Sequence, residues 1–363
     1  MADASQRVFL AAVDDHIRHA VSDELAQGLI RIDPELNVFA DQCLAAATDG
    51  GKRLRPRFLH GAWQAFATAA EPGSAVVGVA AGLELLHAAI LVHDDVIDSS
   101  DLRRNRPSVR AALAGYHRAS AWSGPASVFG DHTAVLLGDL LWGTAQDLLS
   151  DAVSGIPEQR AMRVGQCFRA MRLEVIAGQL LELQGQAAHD FVPGAAEKIV
   201  RYKTTAYTVQ RPMALGFELA DAPRDGVALL QQYAAAVGEA FQLRDDLADL
   251  FAETEHSGKR SGDDIRSGKP TSLMQLALER SSDSQREFLI RVIGRADADA
   301  ADIDAVKDVL VDTGAVQATC DRVGTLGRKA RDALSETAST HPVVRLHALV
   351  ELLALCTDVS FVP

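Results

Sequence analysis

Apolar residues recur every three to four positions over long stretches of this chain, the spacing of amphipathic helices. The pattern predicts helices within 9–47, 57–70, 75–98, 133–152, 159–188, 195–219, 225–252, 270–294 and 302–313. Strand-like alternation bounded by turn residues is hard to find. The expected architecture is therefore all-α, a bundle of about ten or more helices around a central cavity. Two breaks interrupt it, a Ser/Gly/Ala-rich stretch at 119–132 and a charged, Gly-rich one at 253–270; both read as loops. The most apolar run, Val76 to Val92, is interrupted by Glu84 and His87 and ends in Asp94-Asp95, which predicts a buried helix and no membrane span.

One acidic pattern occurs twice, each time at the end of a long apolar run: Asp94-Asp95-Val96-Ile97-Asp98 and Asp245-Asp246-Leu247-Ala248-Asp249. On a helix, residues i and i+4 share a face, so Asp94 aligns with Asp98 and Asp245 with Asp249. Like charges at that spacing repel. A hard divalent cation bound through oxygens is the obvious compensation.

Cations stand close to both patches. Arg103-Arg104-Asn105-Arg106 follows the first, Lys259-Arg260 and Lys269 follow the second, and Gly51-Lys52-Arg53-Leu54-Arg55-Pro56-Arg57 lies nearer the N-terminus. Aspartates that bind Mg2+, beside arginines and lysines, suit a substrate carrying diphosphate, because Mg2+ takes one or two carboxylates and leaves its other positions to phosphate and water.

With these motifs in order, the chain resembles the trans-isoprenyl diphosphate synthases of the polyprenyl synthetase family. The resemblance runs from about Lys52 to at least Thr271. It rests on Gly51-Lys52-Arg53-Leu54-Arg55-Pro56, His87 ahead of the first motif, Arg103-Arg104, Lys203-Thr204, Gly238-x-x-Phe241-Gln242 leading into the second motif, Lys259 and Lys269. It implies the isoprenoid synthase fold and a metal site of Asp94, Asp95, Asp98, Asp245, Asp246 and Asp249 holding three Mg2+ ions. An allylic diphosphate would be held by Arg103, Lys203, Thr204, Gln242, Lys259 and Lys269, and isopentenyl diphosphate by Lys52, Arg55, His87 and Arg104. Asp94, Asp95, Asp98, Arg103, Lys203, Asp245 and Lys259 would carry the chemistry. The family also forms homodimers, which the apolar helical faces left over would suit.

Several of these residues admit plainer readings. His87 is either a core histidine satisfied by a backbone carbonyl or a ligand contact about 10 Å along the helix from Asp94. His93 reads as structural. Lys203-Thr204 could be a mere helix segment. Asn105 departs from the family, where glycine commonly follows the arginine pair.

Product length is read from the residues before the first motif, about 6–7.5 Å deeper along the helix. Short-chain synthases often place an aromatic floor there; this chain has Ala89 and Ile90, and its first motif lacks the two-residue insertion of many farnesyl synthases. Trp142 is either an alternative floor or core packing. The stretches 202–212 and 241–246 look most like actinobacterial geranylgeranyl diphosphate synthases, which implies a C20 product ahead of C15, C25 or longer.

Composition adds limits. A net charge of −13 argues against a nucleic-acid partner. The 363 residues show no convincing boundary, so 1–363 reads as a single domain. Cys43, Cys167, Cys320 and Cys356 have neither metal-ligand spacing nor a disulfide framework, and the polar N-terminus is unlike a signal peptide; the expected location is cytoplasmic. Two rivals remain, a class I terpene cyclase and a non-catalytic subunit of a heteromeric synthase. The second Asp-Asp-x-x-Asp with Lys52, Arg55 and Arg104 weighs against the first, and the complete motif set against the second.

Overall fold

The structure is a computed structural model, and it describes residues 4–69, 72–188, 194–252 and 261–362. Its helices are α1 (Ala4–His19), α2 (Gln27–Ile32), α3 (Asn37–Thr48), α4 (Leu54–Phe66), α5 (Ser74–Ile97), α6 (Val109–Ala119), α7 (Ala126–Ser154), α8 (Glu158–Ala188), α9 (Ala195–Ile199), α10 (Arg211–Ala220) and α11 (Arg224–Phe251). They continue as α12 (Asp263–Arg266), α13 (Ser272–Arg280), α14 (Asp283–Val292), α15 (Ala300–Asp312), α16 (Ala315–Thr340) and α17 (His347–Thr357). Two π-helical segments, Ala20–Ala26 and Val200–Gln210, lie in line with α-helices. Among the described residues the only sheet is a hairpin of β1 (Leu102–Arg103) and β2 (Arg106–Pro107).

The all-α expectation holds, with local corrections. The run 9–47 is not one helix: Asp33 is extended and its side chain caps the turn beginning at Pro34. The run 270–294 divides at Ser282, whose hydroxyl and Gln285 form a capping box. Residues 126–132, expected in a loop, begin α7. Sequence periodicity also missed α6, α16 and α17 and the hairpin.

Burial explains the arrangement. The α5 helix is lined on nearly every side by buried residues and packs chiefly against α7. Leu83, Leu86 and Val92 join Leu141 of α7 and Phe168 of α8 in one core cluster. A second cluster surrounds α11, where Phe58, Met213, Tyr233 and Leu349 meet. A third, with Leu247, Ile265, Leu289 and Leu310, packs the C-terminal helices beneath the second acidic motif. Among the described residues α5 alone is long and apolar enough to cross a membrane, but 72% of its apolar window is buried inside the protein. Both acidic motifs thus end helices whose other turns are held in rigid core.

Candidate active site

The first motif occupies the last turn of α5, with Asp98 as the C-cap. Its carboxylates do not point alike. Asp95 is buried and accepts from Arg103 Nε at 2.9 Å, while Arg103 Nη2 reaches Asp94 Oδ2 at 3.3 Å. Arg103 is delivered by the hairpin, whose register pairs it with Arg106 and leaves Arg104-Asn105 as a two-residue turn. Both turn residues have positive φ, 54° and 61°, as a type I′ turn requires. Asparagine tolerates that conformation nearly as glycine does, so Asn105 preserves the turn. Arg104 then donates to the carbonyls of Asp49 and Gly50 in the loop before α4.

Two lysines reach the same carboxylates from other elements. Lys203 Nζ lies 2.6 Å from Glu182 Oε1 on α8 and 3.7 Å from Asp94 Oδ1. It comes from the π-helical segment 200–210, which Gly178 of α8 and Gly238 of α11 grip from two sides. A Cβ at Gly178 would sit 2.5 Å from Lys203 N, and one at Gly238 would sit 2.6 Å from Thr205 Cγ2. Lys269 Nζ spans the two halves of the site, 2.9 Å from Asp98 Oδ2 and 3.4 Å from Asp264 Oδ1. Burial opposes its charge, but the carboxylates of Asp264, Glu182, Asp98 and Asp94 hold the ammonium well above its usual pKa.

The second motif lies near the end of α11. Gln242 Nε2 donates to Asp246 Oδ1 at 2.7 Å, and the Thr204 hydroxyl donates to Gln242. Asp249 Oδ2 receives the backbone N–H of Asp264 at 3.4 Å, and Asp245 Oδ1 lies 3.3 Å from Arg244 Nη1. Asp246 is 4% exposed, its Oδ2 has no hydrogen-bond partner, and burial raises its carboxyl well above the ordinary range. A buried carboxylate oxygen without a partner is costly, and an oxygen-only donor set fits a hard cation such as Mg2+. Among the described residues no three acidic, His or Cys side chains form a ready-made cage.

The third cationic group sits deeper. Arg55 is buried, stacks 4.1 Å over the Tyr207 ring and donates from Nη2 to Thr208 Oγ1 at 2.9 Å; its Nε has no partner. Tyr207 OH lies 3.5 Å from His87 Nδ1. Burial first, then Arg55, Arg104, Arg103 and Arg53, push the His87 imidazole well below its usual pKa, so it faces these guanidinium groups uncharged. Lys52 is exposed at the start of the same turn. His93 faces away, 3.3 Å from Asp139 and 3.2 Å from the Val135 carbonyl, packed on Gly138 of α7. Of the chain-length candidates, Ala89 is fully buried in the core cluster, and Ile90 and Trp142 are half-buried at its border. Lys259 lies outside the described residues.

Sequence reasoning missed Glu182, Tyr207 and Thr208. The available signal for Glu182 was a lone carboxylate four residues after Gly178, on the face where α8 approaches Lys203.

Comparison with known proteins agrees with this geometry. The family model for polyprenyl synthetase matches residues 37–310. The chain is 29% identical over 293 residues to the short chain isoprenyl diphosphate synthase of Methanothermobacter thermautotrophicus, covering 80% of this chain and 79% of that one. It is 31% identical over 277 residues to the farnesyl diphosphate synthase of Escherichia coli, covering 72% and 85%. The structure superposes on geranylgeranyl pyrophosphate synthase from Corynebacterium glutamicum, a complex with isoprenyl diphosphate and magnesium, with a TM-score of 0.89 and 30% identity over 98% of this chain and 99% of that one. The acidic motifs, their cationic neighbours and the helical frame that gathers them are those of one family, and this chain belongs to it: it is a polyprenyl synthetase family member and a prenyltransferase.

Proposed function

We propose that the enzyme condenses isopentenyl diphosphate with an allylic diphosphate of five to fifteen carbons and makes mainly the C20 product, geranylgeranyl diphosphate. The observation that carries this reading is the Lys269 bridge. One buried ammonium draws Asp98 of the first motif and Asp264 behind the second to within ion-pair distance. That ties the first motif to α12, whose Asp264 N–H donates to Asp249 of the second motif at 3.4 Å.

In this reading Asp94, Asp95, Asp98, Asp245, Asp246 and Asp249 hold three Mg2+ ions, and Asp95 also fixes Arg103. Bound Mg2+ would supply Lewis-acid neutralisation of the diphosphate. Arg103, Lys203 and Lys269 stand where negative charge develops as the allylic C–O bond breaks. On diphosphate binding they would exchange their present carboxylate partners for phosphate oxygens. Thr204 and Gln242 orient that group, and Lys259 is assigned to it by sequence alone. Lys52, Arg55, His87 and Arg104 hold isopentenyl diphosphate so that its double bond attacks the allylic carbon. A C–C bond forms, and a proton leaves the adjacent carbon for an oxygen of the departed diphosphate. The packed apolar helices keep water from the cation.

The C20 assignment is supported by the small side chain at Ala89, by Ile90, and by similarity to the Corynebacterium glutamicum enzyme. We read the chain as one catalytic domain. A homodimer is supported by large apolar side chains exposed along α7 and α8: Val135, Leu136, Leu140, Leu173, Ile176 and Leu180.

The test is to incubate purified protein with isopentenyl diphosphate, Mg2+ and, in turn, dimethylallyl, geranyl or farnesyl diphosphate, and to size the dephosphorylated alcohols. A C20 alcohol supports the full reading. Longer or shorter alcohols keep the chemistry and correct the pocket depth. A cyclic hydrocarbon made without consumption of isopentenyl diphosphate would move the chain to the cyclases.

A further inference from the structure

Glu84 lies on α5 one turn before His87, is 3% exposed, and has no part in the site described above. A carboxylate inside a core helix is expensive unless it is paired. Its Oε1 accepts from Arg53 Nη1 at 2.9 Å, and its Oε2 has no hydrogen-bond partner. Arg53 is itself mostly buried. It donates from Nε to Asp14 Oδ1 of α1 at 2.9 Å and from Nη2 to the Thr48 carbonyl at 3.4 Å. Its backbone is left-handed, φ 48° and ψ 41°, which for a residue other than glycine costs about 1 kcal/mol or more.

Two costs, a buried half-satisfied carboxylate and a strained backbone, therefore meet on one ion pair. The strained residue stands between Lys52 and Arg55, at the point where the chain turns into α4. Arg104 holds the same loop from its other side, through the Gly50 carbonyl at 3.0 Å. Moving Arg53 would move Lys52 and the first turn of α4, and with it Arg55 and its contacts to Thr208 and Tyr207.

We propose that Glu84 is a positioning residue for the isopentenyl subsite: through Arg53, braced by Asp14, it fixes the turn that aims Lys52 and Arg55 at isopentenyl diphosphate. This rests on the assignment of Lys52, Arg55, His87 and Arg104 to that substrate. Glu84 touches no substrate and acts only through Arg53.

Steady-state kinetics of the full chain with both substrates varied tests it. Glu84→Gln should raise KM for isopentenyl diphosphate about tenfold, the coupling expected within one ion-pair network, and leave kcat and the allylic KM within about twofold. Asp14→Asn, at a carboxylate 39% exposed, should raise the same KM about threefold without threatening the fold. The double variant Glu84→Gln/Arg53→Met should be no worse than the worse of its parents.

A lowered melting temperature with an unchanged KM for isopentenyl diphosphate would make the triad merely structural and overturn the inference. So would equal losses in both KM values. Should Glu84→Gln lose its helical circular dichroism, Asp14→Asn decides alone. Lys52→Ala and Arg104→Ala separate the two layers. If they raise KM for isopentenyl diphosphate while Glu84→Gln and Asp14→Asn do not, only the positioning role falls. If none of the four moves it, the assignment of the subsite falls as well.

Discussion

Asp94 and Asp98 are each held by cations that would also serve a diphosphate, Arg103, Lys203 and Lys269. Replacing Asp94 or Asp245 with Ala should lower condensation by about two to three orders of magnitude, the scale of losing one preorganised charge-stabilising group. Circular dichroism should stay native, and near-normal turnover would remove these residues from the metal site. His87 gives a pH signature. The native imidazole is held well below 6.5 and refuses a proton that the unfolded chain accepts, so stability falls as pH drops below about 6.5. His87→Gln should narrow the gap in melting temperature between about pH 7.5 and about pH 5.5; an unchanged gap would assign the acid sensitivity elsewhere. Ala89→Phe should shorten the main product, and an unaltered alcohol profile would show that the tail does not pass Ala89. Trp142→Ala should lengthen products only if Trp142 closes the pocket.

Among the elements, the π-helical segment 200–210 matters most. Pro212 follows it at the start of α10 and has no N–H to return to the preceding turn. Extended π geometry is rare and tends to occur at functional sites. Here it presents Lys203 to Asp94 and Glu182 and leaves Thr204 to meet Gln242. It stays in place because α8 and α11 approach it at glycines. Gly178→Ala should destabilise the protein by about 1–3 kcal/mol, since its Cβ would meet backbone that cannot swing aside. It should also lower kcat at a temperature where the variant remains folded. Unchanged melting temperature and kcat together would show that the segment tolerates displacement.

Across the whole molecule, the helices that carry the site leave an apolar stripe on α7 and α8 that a solitary chain would expose to water. Sedimentation equilibrium should give a species of twice the 38.8 kDa chain mass. Leu136→Asp with Leu140→Asp should shift it to the single-chain mass while α-helical content is kept. A single-chain mass for the unaltered protein would end the homodimer reading. His93 ties this stripe to the first motif through Asp139 and the Val135 carbonyl, so the two surfaces share α5 and α7 as their frame.

Helical periodicity, the paired Asp-Asp-x-x-Asp motifs and the basic residues beside them were legible in the chain, because each is a local pattern written within a few turns. The α16 helix went unread because polar residues and glycine outnumber apolar ones along it, although Val316, Val323, Leu326, Ala330 and Leu334 form a regularly spaced buried face. The hairpin escaped because two-residue strands carry no periodicity. What only the tertiary structure decided is which charges answer one another. Arg103 takes both Asp94 and Asp95, Lys203 pairs with Glu182, Lys269 reaches Asp98 from 171 residues away, and Arg53 joins Asp14 to Glu84. Composition and spacing name the charged groups. Their pairing depends on distances set by packing of remote helices, and no local pattern encodes those.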